Sequence, residues 1–456
     1  MKDMTSGGEA RHIIYFAVPM LIGNLFQQAY SMADGIIVGR YVGEHALAAV
    51  GTSFPILFLM VASVLGLALG AGILLSQLFG ANNLTDMRRA TTSVFLFASA
   101  ASILLSVIGY FLSPFLLKNL LDVPDNILND SIVYLRIFFL GLFFMYLYNF
   151  VSAVLRSVGD SKTPLYFLIV STIINIVLDI YFVANLKQGV AGVAWATFIA
   201  QAISAIASIV YVYIKVPLFR FKLNEFVFDR KLFYLIVKIG IPSSIQQTVL
   251  SLGFIAVQRL VNGFGAVTIA AVTAASRIDQ LAIMPVMNIG MALSTFAGQN
   301  IGAGKPERAE KGYRKTLVIS AVLCLVLTAV VFIYGKQLIG LFIRGDAGSS
   351  EVIRQGTQYL QVVVCFYLLF SIMNVTSSLL RGCGDVFYST YITLIAFGLR
   401  LVSAYLLVPY IGYRAIWWSM PIGWFVSMLF ALYRYKSGKW KDKALVKQDN
   451  TLELNP

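Results

Sequence analysis

The chain is a succession of apolar runs of twenty or more residues, parted by short segments carrying Gly, Asn, Asp and Pro. Each run is long enough to cross about 30 Å of hydrocarbon as a helix. The pattern predicts about twelve spans, six per half. In the first half they cover 13–38, 46–79, 90–113, 131–155, 163–185 and 190–214. In the second they cover 234–260, 267–299, 315–335, 352–379, 387–408 and 412–435. Several exceed twenty-five residues, which predicts tilt, kinks or extension beyond the bilayer. The expected fold class is an all-α integral membrane protein.

The runs fall into two matching sets. Asn149–Asp160 reads NFVSAVLRSVGD, and Asn374–Asp385 reads NVTSSLLRGCGD. Gly43 with Ala48-Ala49-Val50 answers Gly265 with Ala270-Ala271-Val272. Gln77 and Gly80-Ala81 answer Gln299 and Gly302-Ala303, Pro19 answers Pro242, and Trp195 answers Trp418. A near-constant offset means two homologous halves of about 220 residues. Such duplication in an apolar chain is a transporter's signature, because similar halves can rock about a central site. The expected organisation is an N-lobe over 1–215, a basic cytoplasmic linker over 216–232, a C-lobe over 233–436 and a polar, disordered tail over 437–456. Within the linker region, Lys215–Lys231 is basic and partly aromatic, which suits a short amphipathic segment on the membrane surface.

Composition strengthens the membrane reading. Residues are 59% hydrophobic and 12% charged, against roughly 25% charged in soluble domains. The net charge of +14 would suggest nucleic acid in a soluble protein. Its distribution argues for topology instead. Lys2, Arg11, Arg88, Arg89, Arg156, Lys162, the Lys215–Lys231 cluster, Lys305, Arg308, Lys311, Arg314, Lys315 and the tail lysines all fall on one side if the loops alternate. The positive-inside rule then puts both termini in the cytoplasm of an inner-membrane, multi-pass protein in contact with lipid, without nucleic acid. No cleavable signal peptide is visible. Cys324, Cys365 and Cys383 have no paired spacing and read as small apolar residues. There is no Walker-type phosphate loop, and only His12 and His45 could offer imidazole. The expectation is a transporter rather than an enzyme, with no cofactor and no bound metal beyond a coupling ion.

Ionisable residues inside apolar runs are expensive and are functional candidates. Asp34 lies deep in the first run, where Gln27, Tyr30, Ser31 and Asp34 follow helical spacing and share a face. Such a stripe points at a cavity or at other helices. Gly23 and Pro19 could let this helix bend. Asp179 lies in the fifth run with Asn175 one turn before it, and Thr197 follows in the sixth. Two carboxylates in a water-poor site can hold a proton near neutral pH, or, ionised, coordinate Na⁺ with the amide and hydroxyl oxygens. The competing reading is that both acids only bond neighbouring helices. The second half lacks matching acids: Gln246, Gln247 and Ser251 stand in its first helix, and its internal charges are Arg259, Arg277, Asp279 and Arg400. Asp279 beside Arg277 reads as a structural couple. Arg156/Gly159/Asp160 and Arg381/Gly384/Asp385 read as hinge architecture at cytoplasmic helix ends.

These residues together resemble the multidrug and toxic compound extrusion (MATE) family over nearly the whole chain. The resemblance rests on the duplicated layout and on Pro19…Asp34-Gly35…Val38-Gly39. The Gln77…Gly80 and Gln299…Gly302-Ala303-Gly304 ends and both Leu-Arg-x-x-Gly-Asp repeats add to it. It implies two six-helix lobes forming a V around a central cavity, and export of organic cations and amphipathic compounds in exchange for H⁺ or Na⁺, by a monomer. Asp34, Asn175, Asp179 and Thr197 match the N-lobe cation site of the family's DinF-like branch, with Tyr30, Asn149 and Ser152 near it. The paired C-lobe acids of the other main bacterial branch have no counterpart here. Phe54, Phe58, Met284, Met287 and Met291 would suit a broad apolar pocket, although ordinary helix packing accounts for any one of them alone. A lipid-linked sugar flippase of the same superfamily is the alternative. It would be expected to carry a strongly cationic cavity, for which Arg277 and Arg400 are the candidates. A major facilitator transporter fits the helix number but not the repeats or the polar first helix.

Overall fold

The computed structural model describes residues 2–220, 227–342 and 349–446. Thirteen α-helices make up almost all of it. They are α1 Glu9–Ile37, α2 Glu44–Gly80, α3 Leu84–Phe115, α4 Asp125–Ser157, α5 Lys162–Asp179, α6 Gly189–Lys215, α7 Arg230–Asn262, α8 Ala266–Gly302, α9 Pro306–Gly340, α10 Ser349–Val364, α11 Tyr367–Gly382, α12 Val386–Ile411 and α13 Arg414–Lys436. Among the described residues nine helices are individually long and apolar enough to cross a membrane, and α10 with α11 makes a tenth span. α1 and α2 are outside that set, Leu65–Gly80 of α2 counting as a shorter apolar helix.

Capping residues start several of these helices where the sequence punctuates them. Asn83 Oδ1 accepts the Asp86 N–H at the head of α3. Asp160 Oδ1 accepts from the Lys162 and Thr163 N–H groups ahead of α5, and Asp229 Oδ1 does the same for Lys231 and Leu232 ahead of α7. Gly159 and Gly384, the glycines of the repeated motif, turn with φ of +81° and +97°. A Cβ on either would collide with backbone, Lys2 O at the first and Lys443 O at the second.

The helices pack as two compact units. The first comprises Met1–Asp3 and Val18–Ser244, the second Met4–Ala17 and Ile245–Pro456. This division cuts α1 just before Pro19 and α7 just after Pro242, rather than at 216–232. In unit 1, α4 is the central element, packed on α2, α3 and α6. Gly66 and Gly70 of α2 let the start of α7 approach closely: a Cβ at Gly70 would sit 2.8 Å from Gly240 N. In unit 2, α8 packs on α9, α10 and α11, while α12 lies along α13.

Unit 2 also grips the N-terminal segment. Met4 is fully buried, its N–H donating to Gln299 Oε1 at 3.0 Å. Arg308 Nη2 donates to Ser6 O and Gly7 O at 2.8 and 2.7 Å. Glu9 pairs with Lys315 at 2.7 Å and Arg308 at 3.2 Å. Arg308 and Lys315, two of the basic residues in the charge pattern, thus also hold chain.

Two expectations change. The span 352–379 is not one helix: it breaks between α10 and α11 with a 51° bend. Thr328 Oγ1 of α9 donates to Val364 O at 2.8 Å, satisfying a carbonyl that the break releases at the end of α10, and Cys324 Sγ faces Tyr367 O at 3.6 Å. The tail over 437–446 is ordered rather than disordered. It folds into a 3₁₀ turn, Lys439–Asp442, whose Trp440 is fully buried and stacks on Tyr435. Apolar burial outweighs the polar composition there. The remainder, 447–456, lies outside the described residues. In the linker, Pro217–Phe219 forms a short 3₁₀ turn with Phe219 buried, and Ser93 Oγ accepts from the Asp229 N–H at 2.8 Å. Residues 221–226 of the expected surface segment lie outside the described residues.

Candidate functional site

The polar stripe of α1 delivers Tyr30 and Asp34 to the interior of unit 1. Asp34 is half-buried, whereas Asn175 and Asp179 on α5 are fully buried. Both acids precede a widened π-helical turn, Val38–Val42 after α1 and Ile180–Asn185 after α5. Such turns carry one extra residue per hydrogen-bonded ring and are frequent at functional sites. The residues around these turns form one apolar cluster, Ile37, Val38, Ala46, Val183, Val190 and Val193.

The Asp34 and Asp179 carboxyls are neighbours that both face the Asn175 amide, and Tyr30 stands one turn before Asp34 on α1. Asn175 satisfies its amide in one orientation, with nitrogen donating to Asp34 Oδ1 at 2.9 Å and Asp179 Oδ2 at 3.2 Å. The other amide atom then faces Thr197 Oγ1, 3.4 Å away on α6. Thr197 Oγ1 in turn meets Tyr30 Oη at 3.0 Å. Asp179 Oδ1 is buried without a donor among the described residues. Two ionised carboxylates offer only acceptors, so a direct bond between them requires a proton. A proton shared by the two carboxyls would close the Asp34–Asn175–Asp179 ring.

Of the residues singled out in the sequence, the fold brings Tyr30, Asp34, Asn175, Asp179 and Thr197 together. Gln27 and Ser31 are exposed on α1. Asn149 is half-buried and donates to Met145 O of its own helix at 2.8 Å, while Ser152 is buried in α4. Met287 is 48% exposed on α8, in the other unit. Arg156 and Arg381 are half-buried at their helix ends, Asp160 caps α5, and Asp385 pairs with Arg434 at 2.6 Å. Sequence reasoning missed Tyr134 of α4, which packs against the apolar cluster and lies within electrostatic reach of both acids. With Gly141, Met145, Ala194, Thr197 and Gln201 it lines a small crevice between α4 and α6. Its signal was positional: Tyr134 stands fifteen residues before Asn149, as Tyr359 stands fifteen before Asn374.

In unit 2 the expected Arg277–Asp279 couple is absent among the described residues. Residues two apart on a helix point to different faces, and Arg277 is exposed while Asp279 is 5% exposed. Asp279 Oδ1 instead accepts from Tyr367 Oη at 2.7 Å. The charge nearest in effect is Arg400 of α12.

A duplicated bundle of membrane-length helices, with an acid pair contributed by α1 and α5, fits a multi-pass membrane transporter. The MatE family model matches residues 19–181 and again 242–406, so the chain belongs to the MatE family, whose relatives carry drug-export names. It is 31% identical over 447 residues to the probable multidrug resistance protein YoeA of Bacillus subtilis, covering 96% of this chain and 95% of that protein. Probable multidrug resistance protein YpnP of the same organism is 30% identical, covering 96% and 97%. Among solved structures, a MATE transporter in complex with MaL6 superposes with a TM-score of 0.89 at 23% identity, covering 96% of this chain and 98% of that one. An outward-facing MATE multidrug resistance transporter of the MOP superfamily gives 0.87 at 24% identity, with the same coverage.

Proposed function

We propose that this chain is a secondary active efflux transporter of the cytoplasmic membrane, with both termini cytoplasmic, exporting organic cations and other amphipathic compounds by antiport with H⁺. The observation that carries the reading is the Asp34–Asn175–Asp179 ring. When the pair gives up its proton it presents net negative charge in an apolar surround, which favours an organic cation. When protonated it is neutral, and that attraction is lost. Ion and drug then favour different states of the protein, which is the requirement for coupling. Protonation of Asp34 is the switch, and Asp179 is its partner. H⁺ suits the cluster because hydrogen-bond satisfaction favours turning the Asn175 nitrogen toward the acids. Na⁺ would need the amide reversed so that Asp34, Asn175, Asp179 and Thr197 all present oxygen. The names of relatives, including the multidrug export protein MepA of Staphylococcus aureus at 21% identity, support the drug-efflux class.

The test is ethidium transport in proteoliposomes under a pH gradient or a Na⁺ gradient applied separately, wild type beside Asp34→Asn. Movement driven by the pH gradient and lost in the variant is the expected result. Movement under Na⁺ alone would reassign the ion. Transport under neither gradient would move a flippase of lipid-linked sugars to first place, and full transport by the variant would remove Asp34 from the mechanism.

A further inference from the structure

The repeated motif gives the two units a common register. Fifteen residues after Asp160 stands Asn175, and fifteen after Asp385 stands Arg400. By the same count Asp179 answers Ala404, Tyr134 answers Tyr359, and, counting from Pro19 and Pro242, Asp34 answers Val257. The place in unit 2 that corresponds to the acid ring therefore keeps its tyrosine, loses both carboxylates to buried Val257 and Ala404, and replaces the central amide by a guanidinium. Its polarity is inverted.

The surroundings of Arg400 fit that inversion. Its Cζ lies 5.7 Å from the Phe254 ring centroid on α7 and 5.4 Å from the Phe397 ring on its own helix. Its Nε is buried and meets no acceptor. Among the described residues no carboxylate stands within ion-pair distance of the guanidinium. Asp279, engaged by Tyr367, offsets its charge from farther away. Arg400 as a whole is half-buried, so its outer nitrogens remain reachable. A mid-helix arginine is costly in a membrane, and this one holds a planar fork of donors beside the edge-to-face Phe254–Phe397 pair, whose centroids lie 5.2 Å apart, and meets no acceptor among the described residues.

From this geometry we infer that unit 2 contains an oxyanion subsite, with Arg400 gripping a carboxylate or phosphate and the Phe254–Phe397 pair beside it offering an aromatic face to an attached apolar or aromatic body. The ligand class is an anionic or zwitterionic amphiphile. The site lies outside the cation-efflux reading and does not depend on it, because binding is measured without any gradient.

The test is saturable binding of fluorescein, an aromatic carboxylate, to the full chain in phosphatidylcholine nanodiscs, followed by anisotropy, with ethidium binding measured in parallel. Arg400→Gln is expected to weaken fluorescein by on the order of tenfold while ethidium stays within about twofold. Arg400→Lys, which keeps charge but loses the fork, should fall between. Phe397→Leu, which removes one ring of that pair, should weaken fluorescein severalfold and leave ethidium unchanged. It decides the matter if Arg400→Gln fails to fold and loses both probes. Competition by phosphatidylglycerol added to the discs would identify a lipid phosphate as the occupant, and its absence a soluble anion; both support the subsite. Equal fluorescein affinity in the variants and wild type, or no saturable binding by wild type, would overturn it.

Discussion

Asp179 and Asp34 owe their chemistry to what surrounds them rather than to their number. Both face the Asn175 amide, which is held in turn by Thr197. Asp179→Asn should therefore abolish pH-driven ethidium transport as fully as Asp34→Asn, because a shared proton needs both carboxyls. Thr197→Val removes a hydroxyl worth roughly 1 kcal/mol, so a rate loss of about fivefold is expected, with Thr197→Ser close to wild type in the same flux assay. Asn149→Ala should change flux less than about twofold, because its amide serves Met145 O of its own helix. Glu9, ahead of the first apolar run, behaves differently. The Lys315 ammonium bonded to it holds its carboxyl below the usual value of 4.5, helped by Arg308. A lowered carboxylate contributes its stability above the unfolded value and loses it as pH falls through the folded one. Docking of residues 4–9 should thus be constant near neutrality and loosen below about pH 4.5, seen as faster amide exchange there. Glu9→Gln should show the loose state at both pH values.

The helices themselves could be read from apolar run length, because a membrane span must satisfy its backbone internally. The acids could be read as well, since charge in such runs is conspicuous. What composition could not show was anything decided by contacts from another helix. The break in VVVCFYLL contains no Pro or Gly; it is held open by Thr328 and Cys324 from α9. Thr328→Val should straighten or destabilise that junction, and exchange of the amides near Val364 would report it. Trp440 is one apolar residue in a polar tail, and only the fold shows that it is buried. Tyr134 is an ordinary aromatic until α1 and α5 bring the acids to it. The crossing of α2 with the start of α7 is of the same kind. Gly70→Ala would press a methyl group into the Gly240 backbone and should cost about 1–3 kcal/mol in thermal unfolding. Gly35→Ala, with open space at its Cβ, is the matched control.

Across the whole molecule, the sequence repeat and the packing units do not coincide. The first 14 residues of unit 2 in chain order, Met4–Ala17, belong by sequence to the first half, and Arg230–Ser244 of unit 1 belongs to the second. A chain cut within 221–226 separates each unit from part of itself. A fragment ending there, expressed alone, should be protease-sensitive and aggregate, whereas co-expressed fragments should co-purify and regain ethidium transport. The two halves have exchanged the opening stretch of their first helices, the arrangement otherwise met in domain-swapped dimers, here sealed inside one polypeptide. A half-length version of this protein would therefore have no self-sufficient monomer. It could complete its fold only by lending its first helix to a second copy and borrowing one in return.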